Sequence, residues 1–307
     1  MKKTVAQFKR ELWESRTGLI RAPWYLAALI LVLVLFALVT AQSNIGDLLE
    51  QVRQGGEKAR ELDPELLRLF ASGELFSAHP KLVSMALAAL YMIFLLVFLL
   101  VQQSYLLGSL YSDRRDQSIL FWKSLPVSEC QNVLTKLGTA TLSGPLCYAV
   151  AALAAGAIYL FVLMVYAGVF LGVSLPGLGQ ILWAYLASIA GLLVGWLLLA
   201  LWAMPVFCWM MFCSALAKKA PFLLVLGIPL ALVVLELWIL GSAHLGGAIK
   251  AQINTALASP AEVMPHPGRM GTQLGEALSA TAFWGGLLLS GLFLAGCVWL
   301  RNYRYEI

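Results

Sequence analysis

Between Lys136 and Lys218 the chain contains no Asp, Glu, Lys or Arg. A domain folded in water has to cover itself with polar side chains, and soluble domains carry about 25% charged residues. A run this long with none has no water-facing fold available to it and belongs in lipid. The remainder of the chain is of the same kind. Of its 307 residues, 61% are hydrophobic and only 12% charged, with a mean hydropathy of +0.83.

A helix needs about 20 apolar residues to cross the hydrocarbon core. Six segments qualify: Trp24–Thr40, Leu82–Leu110, Thr139–Phe170, Ile181–Phe212, Phe222–Leu240 and Phe283–Leu300. The glycines and proline of "GVSLPGLGQ" (172–180) divide the third from the fourth, and Pro205 predicts a kink or an end in the fourth. The first is too long in its apolar core for a cleavable signal peptide. The fold expected is all-α and polytopic, a single six-helix transmembrane domain over 1–307.

Basic residues orient it. Counting on alternate sides, fourteen Lys and Arg fall with the amino terminus, the second and fourth connections and the tail, against seven on the other side. Positive residues are retained in the cytoplasm, so both termini are expected there. Residues 1–22 are expected to form an amphipathic helix on the inner membrane face, with Val5, Phe8, Leu12 and Leu19 along one stripe. The outer connection 41–81 reads as two amphipathic helices. The outer connection 241–282 reads as a weak helix around "LGGAIKAQINTALAS" followed by a Pro-rich bend. Both suit caps over an outer mouth, and purely structural lids equally.

The cytoplasmic connection 111–138 is unusual in a chain so poor in charge. It opens with Asp113, Arg114, Arg115 and Asp116, continues through "ILFW" and Lys123 to Leu125 and Pro126, and then reads "SECQ". Ser128 has the position of a helix N-cap, accepting from the backbone at Gln131. An apolar anchor, Phe121 and Trp122, within a charged rim has the composition of a docking surface. An aromatic belt in the headgroup layer explains the same two rings.

"DRRDQSILFWKSLPVSE" resembles the intracellular loop of type-2 ATP-binding-cassette (ABC) exporter permeases, in which an acidic–Arg start leads to a "SLPVS" turn and a helix entering the next span. A basic amino terminus ending in "RAPW" and a "SALAKK" turn before the fifth span extend the similarity. The resemblance implies a membrane-spanning permease subunit of an exporter in the inner (plasma) membrane. It further implies that residues 113–126 form a coupling helix seated on a separate cytoplasmic ABC ATPase, and that a second permease copy or homologue completes the pathway. The residues expected to carry coupling are Asp113, Arg114, Arg115, Asp116, Phe121, Trp122, Lys123, Leu125 and Pro126. The sequence has no GxxxxGK[ST] phosphate loop, so ATP would be bound by the partner subunit and no cofactor, metal or nucleic acid by this chain.

Glu236, in "VVLELWIL", is the ionisable residue placed well inside a span and is a candidate pathway residue. Packing, or a place near the outer end of a broken fifth span, accounts for it as well. Gly191 with Gly195, and Gly286 with Ser290, permit close helix contact, within one chain or across a dimer. The five cysteines and three histidines lack ligand spacing. An intramembrane enzyme is disfavoured because no histidine accompanies the serines and threonines of the spans, so the chain is not expected to be an enzyme by itself. A non-transporting ABC subunit that passes ATPase motion to a periplasmic partner is the second reading.

Overall fold

The computed structural model describes residues 2–53, 80–116, 128–170 and 178–303. Among them there is no strand, and six helices are long and apolar enough to cross a membrane. The chain is an all-α polytopic membrane protein. Helix α1 (Lys2–Glu14) precedes a short π-helical segment, Thr17–Arg21, and then α2 (Ala22–Arg53). Next come α3 (Pro80–Ser109) and the five-residue α4 (Tyr111–Arg115). Helix α5 (Glu129–Gly138) runs through a second π-helical segment, Thr139–Ser143, into α6 (Gly144–Phe170). The remaining helices are α7 (Leu178–Leu216), α8 (Pro221–Leu240), α9 (His244–Val263), α10 (Met270–Ser279) and α11 (Thr281–Tyr303).

Local chemistry explains several boundaries. Ser128 caps α5, accepting from the Gln131 amide at 3.2 Å. Pro221 occupies the first turn of α8, where its missing N–H costs nothing, and Gly241 ends that helix in the left-handed region at φ 63°. The helix α7 continues past Pro205 to Leu216 rather than ending there.

Helix α7 is the hub, packed against α3, α9 and α11. Its most apolar stretch is 56% buried within the protein, whereas that of α8 is 0% buried. Lipid tails are as apolar as leucine, so the helices are held by close packing and interhelical hydrogen bonds, with no water to expel. Phe98 of α3 stacks on Trp196 of α7 at 5.7 Å and tilts against Tyr148 of α6 at 5.1 Å. Tyr91 and Ser188 are hydrogen-bonded at 3.1 Å. Trp202 meets Phe283 edge-on at 5.4 Å, tying α7 to α11.

The expected weak outer helix is a full element, α9, lying lengthwise against α7. A Cβ on Gly195 would come within 3.1 Å of Pro260, and one on Gly191 within 3.2 Å of the Val263 and Met264 carbonyls. Gly286 approaches Pro205 and Gln252 as closely, and Ser290 donates to its own Gly286 carbonyl. Both small-residue pairs are thus occupied within one chain.

Candidate functional site

At the end of the bundle where α1, α4, α5 and the foot of α11 meet, polar residues close into one buried cluster. Glu11 of α1, Asp113 of α4, Lys136 of α5 and Arg301 of α11 have side chains only 2–9% exposed. Lys136 Nζ lies 3.3 Å from both a Glu11 oxygen and Asp113 Oδ1. Arg301 reaches Asp113 Oδ2 with Nη1 at 3.1 Å and Glu129 Oε2 with Nε at 2.6 Å. Arg10 pairs with Glu11 at 3.0 Å, and the Tyr105 hydroxyl of α3 donates to Glu11 at 2.9 Å. The carboxylates Glu11, Asp113 and Glu129 therefore face the cations Arg10, Lys136 and Arg301, and among the described residues the cluster is formally neutral.

Neutrality is what makes this burial tolerable. Moving each ion out of water costs several kcal/mol, and only dense pairing offsets it. Arg301 Nη2 has no hydrogen-bond partner among the described residues, so the guanidinium spends two of its three nitrogens on the cluster. At the rim, Glu14 pairs with Arg10 at 3.0 Å. Partial burial, and next the negative charge of Glu11, push the Glu14 pKa above the usual carboxylate value.

The sequence places these groups by simple means. Glu11 follows Phe8 by three residues and precedes Ser15 by four, so it shares the inward face of α1 with Leu19 beyond. Asp113 is delivered by a break between α3 and α4 that α7 stabilises. The amides of Leu110 and Tyr111 both donate to Ser214 Oγ, at 3.2 and 3.0 Å, and that hydroxyl donates to the Leu107 carbonyl. Arg114 returns the contact. Its Nη2 donates to the Ser214 and Ala217 carbonyls at 2.8 Å each, closing the end of α7, where a cation also suits the helix dipole. Tyr111 adds a bond from its hydroxyl to the Lys219 carbonyl.

The expected coupling residues therefore divide. Asp113 and Arg114 are consumed in anchoring, the first in the cluster and the second on α7. Arg115 and Asp116 are exposed and pair with each other at 3.0 Å. Phe121, Trp122, Lys123, Leu125 and Pro126 lie outside the described residues. Glu236 has a local role: its carboxylate accepts from the His244 and Leu245 amides at 2.8 and 2.9 Å and from the Ser242 hydroxyl. It caps α9 from near the end of α8; that helix runs unbroken over Pro221–Leu240, so the break considered for the fifth span is absent.

Glu11, Glu129, Lys136, Arg301 and Ser214 are not singled out by sequence reasoning. Their signal is a charge on an otherwise apolar stripe: Glu11 near Phe8, Lys136 between Leu134 and Leu137, Arg301 at the foot of the sixth apolar run. Comparison with family models, with curated proteins and with solved structures returns no match.

Proposed function

We propose that this chain is the membrane-spanning subunit of an ATP-driven ABC exporter in the inner membrane, working as a pair of permease subunits with a separate cytoplasmic ATPase. The observation that supports it most is the anchoring of both ends of the 117–127 segment. Its upstream end is fixed through Asp113 to α5 and α11, and through Arg114 to α7. Its downstream end is fixed by the Ser128 cap and by Glu129 on Arg301. A push on that segment would reach four spans through short polar contacts. Coupling between an ATPase and a membrane bundle requires such an element, because the two ATPase states must contact it differently.

Within this reading Phe121 and Trp122 are the apolar anchor and Arg115 and Asp116 its exposed rim, while Asp113 and Arg114 form the base. Alternating access then consists of the base tilting the inner ends of α3, α6, α7 and α11 together. The test is co-purification. The tagged chain, gently extracted from native membranes, is expected to bring down a P-loop ATPase in near-equal amount by mass spectrometry. Trp122→Ala or Arg115→Glu should reduce that yield with membrane insertion unchanged. Recovery of the chain without any such ATPase, or equal recovery by both variants, would overturn the reading.

A further inference from the structure

The two π-helical segments approach each other where Gly144 nears Leu19, and each joins a short polar helix to a span. Thr17–Arg21 links α1 to α2, and Thr139–Ser143 links α5 to α6. A π-turn lengthens the backbone hydrogen-bond step and frees carbonyls. Here the Ala22 amide bonds the Thr17 carbonyl and the Gly144 amide bonds the Thr139 carbonyl. Side chains from neighbouring spans take up carbonyls within the turns. The Tyr148 hydroxyl donates to Gly18 O at 3.0 Å, and Gln102 Nε2 donates to Ala140 O at 3.0 Å.

Both segments rest on one stretch of α3. A Cβ on Gly18 would come within 3.0 Å of Val101, and one on Gly144 within 3.0 Å of Phe98 and 3.3 Å of Leu19 in the other segment. The helices leading into them are joined to each other. A Cβ on Gly138 would meet the Phe8 ring at 2.8 Å, and Lys136 bonds Glu11. Against the rest of the bundle this pair is joined by Glu11 with Tyr105, Lys136 with Asp113, and Glu129 with Arg301.

We propose that α1 and α5 form one rigid cytoplasmic body that turns about the paired π-segments on α3, latched to the bundle by those three contacts. The glycines beside the hinges, Gly18, Gly138 and Gly144, remove side-chain volume where two helices and the fulcrum meet. The Tyr148 and Gln102 hydrogen bonds keep the freed carbonyls satisfied within an apolar setting, so the turns persist without reverting to α-helix or opening to lipid. This device stands on geometry alone and is independent of the ATPase reading. A chain that binds no ATPase would still possess it.

Hydrogen–deuterium exchange of the full chain in phospholipid nanodiscs tests it. The amides of 17–22 and 139–144 are expected to exchange faster than those in the middle of α6 and α7. Glu129→Gln takes the charge out of one latch, at a contact on α5 alone, and is expected to speed exchange about fivefold or more at both π-segments together. Response at 139–144 with 17–22 unchanged would overturn the single body. Protection in both segments equal to mid-α6 would overturn the hinge. Should Glu129→Gln fail to fold, spin-label distances in the otherwise intact protein decide. Labels replace the exposed Trp13, Leu134 and Leu292, with the exposed native Cys130 changed to serine. The Trp13–Leu134 distance should stay narrow while both distances to Leu292 broaden in step. A broad first distance, or three narrow ones, contradicts the proposal.

Discussion

Glu11 in the amphipathic α1 and Glu236 near the end of the apolar α8 are carboxylates at opposite ends of the bundle, and they are used in contrasting ways. Glu11 is 2% exposed and is held by a lysine, an arginine and a tyrosine from three elements. Glu236 is held by two backbone amides and a serine within nine residues of itself. The inner end of the molecule is knit by long-range ion pairs. The opposite end is knit by glycine-allowed backbone approach between α7 and α9, and Glu236 there serves a neighbouring helix start. A displacement at the charged end would meet ion pairs shared among α1, α4, α5 and α11, whereas α9 is held on α7 by shape.

The contrast breaks most visibly at Lys136. Lys136→Met leaves Glu11 and Asp113 facing one another in a site from which water is excluded. Removing one partner of a buried ionic set costs about 3–5 kcal/mol, so unfolding in mixed micelles should shift to markedly lower denaturant. A shift within error would mean that water reaches the cluster freely. At the outer end, Gly195→Leu has to displace Pro260 and should cost about 1–3 kcal/mol by overpacking. Gly227→Leu in α8, where nothing lies within 4 Å of a Cβ, should leave the unfolding midpoint almost unmoved. Equal effects at the two glycines would contradict the packing of α9 on α7.

Smaller effects sharpen the same contrast. Glu236→Gln keeps the shape of the α9 cap but weakens its acceptors. Faster amide exchange is expected at 244–247 only, and a loss of protection across α7 would give Glu236 a wider role. Glu14 has a folded-state pKa above its unfolded value, so the folded protein binds its proton more readily. Its contribution favours folding at acid pH and is lost as pH rises through the folded pKa. Glu14→Gln should therefore gain melting temperature relative to the parent as pH rises through the upper carboxylate range, and a relative loss there would reverse the assignment.

Much of this architecture is legible in the sequence because lipid imposes a simple rule on it. The runs of apolar residues bounded by Lys and Arg fall where the six spans are, and Ser128 caps α5 as the "SECQ" spacing implies. Partnership is less legible. Asp113 lies 23 residues from Lys136 and 188 from Arg301, and no local pattern announces either contact. The "DRRD" run reads as a solvated rim, yet its first two members face inward because Ser214 and the end of α7 draw the chain back. Helix α9 reads as weak since Lys250, Gln252 and Asn254 dilute its apolar face, while the side that matters is built from Ala256, Ser259 and Pro260. The π-segments have no compositional signal beyond small and polar residues beside a glycine.

The closed buried cluster is the centre of this account, and a double-mutant cycle between Asp113 and Arg301 tests it directly. Unfolding free energies would be measured for Asp113→Asn, Arg301→Met and the pair. Each single substitution leaves an unmatched charge in a buried site and should cost several kcal/mol. The pair removes both charges and should cost well under the sum, with a coupling of about 2 kcal/mol or more. Additive losses would mean that the two side chains stabilise the fold separately, and that the cluster is not a single unit.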